Sequence, residues 1–247
     1  MKTFILASAV MAAFAGSMAH AEDAPKPDNE IMFNAAVVSD YRYRGISQTR
    51  LQPALSGGAD YVNNPSGFYA GTWLSTIKWV KDSGGDSQVE VDLYAGKRGE
   101  IVKDLSYDVG VLAYVYPSNG FGSIDGFANA NTTEIYGQVG FGPAYIKYSH
   151  SVSNLFGFVD SKNSSYFDIG ANIDTVAGVI LNLHVGHQTV KNTSAASYTD
   201  YKVGVTKDFG FATVALAVIG TDTDSYVGPD AKNLGKTSAV LSISKTF

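Results

Sequence analysis

"VVSDYRYRGISQT", Val37 to Thr49, places Asp40, Arg42 and Arg44 at every second position. Ser39, Tyr41 and Tyr43 stand between them and continue the spacing of Ile31, Phe33, Ala35 and Val37. A period of two belongs to a β-strand, here with one charged face and one apolar, aromatic face. In a soluble barrel the charges would face water outside. In a membrane barrel they face the lumen, and the apolar face meets lipid. The stretch alone does not choose between these solvents; its surroundings do.

Upstream, Lys2 precedes an apolar run from Phe4 to Phe14 and then Ala19-His20-Ala21. A charged start, an apolar run too short to span a bilayer and an A-x-A site describe a secretory signal peptide. Cleavage is expected after Ala21, so residues 1–21 leave, residues 22–30 form a short polar leader, and residues 31–247 form one barrel domain. The chain has no cysteine, which excludes disulfides and thiolate metal sites. Charged residues make up 17%, below the roughly 25% of an ordinary soluble domain, and the net charge of −5 argues against a nucleic-acid partner. No apolar stretch after the signal approaches the roughly 18 residues of a membrane helix.

Downstream, alternation recurs in twelve segments, 32–44, 50–61, 68–78, 88–98, 104–116, 132–141, 144–152, 165–174, 177–188, 199–207, 210–219 and 237–247. Segments of this length and pattern are the weak signature of membrane β-strands. Connections after even-numbered segments are mostly tight, such as "GPA" and "KDFG", with "GKRGEIVK" the longest. Those after odd-numbered segments are mostly long, such as "SNGFGSIDGFANAN" and "GTDTDSYVGPDAKNLG", with "GISQTR" the exception. Short turns on one rim and long loops on the other are the habit of outer-membrane barrels, with both termini periplasmic. The expected fold is therefore all-β: a single antiparallel up-and-down transmembrane barrel of twelve strands.

Face assignment follows. Val89, Val91, Leu93 and Ala95 share one face with Ile135, Val139, Phe167, Ile169, Leu181, Leu183, Leu241 and Ile243. Glu90, Asp92, Asp108, Glu134, Asp168, His184, Asp200 and Lys202 share the other, with glycines at 58, 96, 110, 140, 170, 186 and 204. Glycine weakens an exposed strand without return, whereas on a crowded concave wall it makes room. The charged, glycine-bearing face therefore points inward. Lys97, Lys207 and Lys245 fall on the apolar face near the periplasmic ends, where a lysine can snorkel; at mid-depth each would cost roughly 2–4 kcal/mol. Phe33, Tyr41, Tyr43, Phe68, Phe141, Phe167 and Phe247 favour segment ends, as girdle aromatics do, so Tyr41 and Tyr43 are expected at the outer lipid interface. In segment 68–78, Trp73, Ile77 and Trp79 oppose Phe68, Leu74 and Val80, which leaves its facing open.

The run "VVSDYRYRGISQT", then "QPALSGGADY" and "GFYAGTW", resembles the start of the TorF-like family of Gram-negative outer-membrane porins, most clearly over Phe33 to Trp73. The terminal "AVLSISKTF" resembles the signal read by the barrel assembly machinery: Phe247 fits it, while Lys245 stands where an aromatic is common. The resemblance implies an outer-membrane barrel among lipid and lipopolysaccharide, and a channel, with no catalytic residues and no named solute.

The histidines left after cleavage are His150, His184 and His187; the H-x-x-H spacing of His184 and His187 suits a helix, whereas on a strand it puts the two rings on opposite faces, so no metal site is expected. An outer-membrane lipid-modifying enzyme would need a serine–histidine pair. His150 has only Ser149 and Ser151 beside it, and adjacent strand residues point to opposite faces. The chain is therefore expected not to be an enzyme and to need no cofactor. Asp40, Arg42, Arg44, Glu90, Asp92, Asp108 and Glu134 are the candidate lumen and constriction residues, able to select solutes at a narrow point. The function expected is passive passage of small hydrophilic solutes, with acids outnumbering bases on the inner wall. A non-conducting structural or adhesive barrel is the alternative, since twelve strands fall between filled and open barrels.

Overall fold

The alternation closes on itself. In the computed structural model, which describes residues 27–247, twelve antiparallel strands form a closed barrel. They are β1 Asn29–Val38, β2 Ala54–Asn63, β3 Phe68–Thr76, β4 Val89–Val102, β5 Leu105–Val115, β6 Thr132–Phe141, β7 Ala144–Ser151, β8 Ser165–Asp174, β9 Val179–Thr189, β10 Tyr198–Asp208, β11 Thr213–Thr221 and β12 Ser238–Thr246. Each strand pairs with its sequence neighbours, and β1 pairs with β12 to close the ring. At the seam, the Phe33 amide donates to the Phe247 carbonyl at 3.2 Å and the Phe247 amide donates to the Phe33 carbonyl at 2.8 Å. The expected signal peptide and residues 22–26 of the expected leader lie outside the described residues.

The barrel is apolar outward. Ile31, Phe33, Val37, Leu93, Ile135, Val139, Phe167, Ile169, Val203, Leu216, Leu241 and Ile243 are all exposed on the outer wall. The unassigned third segment falls into line: Tyr69, Trp73, Ser75 and Ile77 are buried, while Phe68 and Leu74 face out. At the tight-turn rim, the Lys97 ammonium lies 5.0 Å from the Phe68 ring, Lys207 lies 5.3 Å from Phe209, and Lys245 donates to the Gly210 carbonyl. Each charge thus finds a partner at the edge of the apolar band.

Inside, the glycines have a specific job. Tyr69, Tyr136, Tyr145 and Tyr166 lie across Gly96, Gly110, Gly170 and Gly186 of the neighbouring strand, so that a Cβ at any of these glycines would strike the tyrosine's ring or hydroxyl. Seating a ring over a bare backbone fills a concave wall and covers the glycine's exposed peptide, the pairing known as aromatic rescue.

Two spans differ from the sequence reading. The "GKRGEIVK" connection is mostly strand: β4 runs to Val102 and turns at Lys103-Asp104, with a register shift between Glu100 and Val102. β1 stops at Val38, and the segment expected to continue to Arg44 leaves the wall. Residues 39–53 connect β1 to β2, and within them residues 40–49 turn inward, so the loop thought to be the short one on its rim is a long one.

Candidate functional site

The departing segment makes a hairpin of its own. Arg42 pairs with Ser47 and Tyr43 with Ile46, which leaves Arg44-Gly45 as a two-residue turn. Both turn residues have positive φ, 47° at Arg44 and 80° at Gly45, the requirement of a type I′ turn. Gly45 also has no room for a side chain, because a Cβ would lie 2.6 Å from Thr221 and 2.7 Å from Asp200. We refer to this hairpin, residues 40–49, as the strap.

Asp40 organises its base. One carboxylate oxygen accepts from Arg42 Nε at 2.7 Å and the other from Ser47 Oγ at 2.5 Å. Arg42 donates further to the carbonyls of Gly45 at 3.0 Å and Lys236 at 2.8 Å, and the Ser47 amide donates to Leu234 at 3.0 Å. The strap is thereby tied to the loop between β11 and β12. Its tip crosses the lumen: Arg44 makes a bidentate pair with Glu134 on β6, at 3.0 and 2.7 Å, and donates to Gln188 on β9 at 2.6 Å. The guanidinium also sits 4.1 Å from the Tyr166 ring centre. A fork-to-fork pair with both partners buried is geometrically specific and holds the tip in one place.

Tyr41 and Tyr43 correct the sequence reading. Neither meets lipid. Tyr41 donates to Glu90 at 2.7 Å and packs edge-on against Trp73 at 5.3 Å; Tyr43 shares a 2.7 Å hydrogen bond with Tyr114 and stacks edge-on against Phe156. Burial, and then the Glu90 carboxylate, hold the Tyr41 hydroxyl well above the usual tyrosine range, so it remains a donor. Above the strap, Trp79, Tyr116, Phe121 and Phe156 pack edge to face into a roof made by the long loops.

The other candidates sit on the wall. Glu90, Asp92, Asp108 and Glu134 all point inward and are buried. Glu90, Asp92 and Glu134 gather under the strap and its roof. Asp108 stands apart, accepting from Tyr69 at 2.6 Å. Asp40, Arg42 and Arg44 are inward too, on the strap rather than on a strand. Opposite them, His184 lies between two carboxylates, with Nδ1 2.8 Å from Asp168 and Nε2 2.7 Å from Asp200, and Tyr166 donates to Asp200 at 2.7 Å. Lys147 lies 4.0 Å from the Tyr136 ring centre. Between the strap and these walls is a cavity of about 120 Å³. The sequence reading missed Lys147 and the strap itself. Its signal was "RG" at the centre of an alternating run, a hairpin cue that lacks the favoured Asn or Asp.

Among the described residues, His150 and His184 are each engaged by groups other than a serine. Ser149 is buried inward while His150 bonds Tyr148 and Asn163 near the outer surface. Both ring nitrogens of His184 are engaged by carboxylates, so neither is left to take a hydroxyl proton.

A family model described as a bacterial protein of unknown function, Gcw_chp, matches residues 22–247. No curated protein matches the chain. Among solved structures, a KdgM porin in complex with disordered oligogalacturonate is similar at 7% identity and a TM-score of 0.51, over 88% of this chain and 98% of that one. OprD from Pseudomonas aeruginosa is similar at 7% identity and 0.41, over 88% and 66%, and LpxR from Salmonella typhimurium at 14% and 0.41, over 87% and 99%. At such identities the likeness to the porin is one of fold: a closed, porin-type β-barrel.

Proposed function

The chain belongs to the Gcw_chp family of bacterial proteins of unknown function, and from that premise we propose that it is a narrow outer-membrane porin whose lumen is strapped. The observation that carries this reading is the inversion of the barrel: a continuous apolar belt outside, and an ionisable, tyrosine-lined wall inside. A wall so charged at membrane depth is a solute path by default, and no cofactor is needed for passive passage of small hydrophilic solutes. Asp40, Arg42, Arg44, Glu90, Asp92 and Glu134 are the proposed constriction, with Asp108 on the periplasmic approach. The finer assignments belong to the same proposal. The chain is TorF-like, loses residues 1–21 on export, is inserted by the barrel assembly machinery through its Phe247 end, and lies among lipid and lipopolysaccharide.

Planar-bilayer recording of the folded protein tests it. Discrete conductance steps are expected, with ion preference altered by Arg42→Glu plus Arg44→Glu. A barrel that is folded by its heat-modifiable gel mobility yet gives no steps, in wild type or with the strap cut, overturns the channel. That result would favour the second reading, a non-conducting barrel displaying its loops, for which the Arg44–Glu134 pair and the aromatic roof speak.

A further inference from the structure

One buried carboxylate oxygen in the lumen has neither a hydrogen bond nor an ion pair among the described residues. Asp92 is 1% exposed, lines the cavity under the strap, and its Oδ1 has no hydrogen-bond partner. Glu90, two residues along the same face, is equally buried and takes its 2.7 Å hydrogen bond from a neutral phenol, that of Tyr41. A buried carboxylate ordinarily has a cation or several donors, and its absence asks what else supplies the charge.

The walls around Asp92 are aromatic. Trp73 stands directly opposite it on β3 and Tyr114 directly opposite it on β5. Directly opposed side chains in a sheet are nearest neighbours, so the carboxylate is flanked by two rings. Tyr41 of the strap crosses edge-on above Trp73 at 5.3 Å. A carboxylate at the base of a box of rings is the combination that attracts an organic ammonium ion, through charge and through the negative faces of the rings. A metal ion asks for several oxygens at close range. Among the described residues no three His, Asp or Glu side chains are arranged so that they could hold a metal ion.

We infer that the lumen cavity beneath the strap is a binding site for a small organic ammonium ion, held by Asp92 inside the Trp73, Tyr114 and Tyr41 rings. Glu90 adds negative potential. This names the solute class of the porin proposed above and rests on that reading of the lumen as a solute path.

The test does not depend on conduction. Trp73 and Trp79 are the two tryptophans in the chain, so a Trp79→Phe background reports from Trp73 alone. The folded barrel in detergent is titrated at constant ionic strength with choline chloride, with sodium chloride, and with 3,3-dimethyl-1-butanol, the uncharged isostere of choline. Choline is expected to give a saturable fluorescence change that the other two do not. Asp92→Asn is expected to weaken choline at least tenfold and Glu90→Gln a few-fold. Should Asp92→Asn not fold, judged by heat-modifiable mobility, Glu90→Gln and the isostere still decide. Equal affinity for the isostere, or unchanged choline affinity in the carboxylate variants, overturns the site. Conductance steps without choline binding remove this inference and leave the porin; choline binding without steps removes the porin and leaves the site.

Discussion

Arg44 carries an unusual load for one side chain. It closes a two-residue turn, spans the lumen, and meets Glu134, Gln188 and the Tyr166 ring at its far end. Removing one member of a buried ion pair leaves the other charged and alone, at a cost of about 3–5 kcal/mol, whereas replacing both with apolar groups of similar size is often neutral. Arg44→Met is therefore expected to destabilise the barrel by that order, and Arg44→Met with Glu134→Leu to recover most of it. Urea unfolding followed by gel mobility measures both, and additive losses would show that the pair is not coupled. At this scale the sequence was legible in sign but not in place. The alternation set Asp40, Arg42 and Arg44 on one face, because period two reports which neighbours share a face, and the structure turns all three inward on the strap. It could not show that Arg44 reaches the opposite wall, since that contact joins positions 90 residues apart.

The wall strands were readable because each of their faces meets one uniform solvent along its length. The strap was not, for the same physical reason turned round. Period two survives the bend after Val38, so a hairpin wholly inside the lumen reads like the outer end of β1. Tyr41 and Tyr43 looked lipid-facing because rings suit either a lipid interface or a buried roof; which one they meet depends on the path of the chain. The inner glycines were legible as room, though not as room for what. Gly170 shows it most cleanly: the atoms that a Cβ there would meet first all belong to the side chain of Tyr145, its cross-strand partner. Gly170→Val is expected to cost about 1–3 kcal/mol through overpacking. Adding Tyr145→Ala should return part of that loss, because the two sites share one clash. Equilibrium unfolding of the single and double variants decides it, and a double variant worse than the sum would refute the seat.

As a whole, the molecule is a ring of nearest-neighbour hairpins with a single long-range joint. Strand number, rim asymmetry and the direction of each face came from repeated local pattern, and repetition is what sequence shows best. The closure of β1 on β12 is held at the tight-turn rim by the reciprocal bonds of Phe33 and Phe247, both of whose rings face outward. Deleting Phe247 removes those bonds and one outward ring, so the folded yield is expected to fall while the conductance of inserted molecules stays the same. Wild-type yield in the truncated chain would deny the terminal strand its role in assembly. The joint also imposes an order in time. Until the ribosome releases the last residue, β1 has only one of its two neighbours, and every intermediate length of chain exposes two unpaired edges. Such a protein gains little by folding as it is made. Its first strand can meet its last only once both have been made.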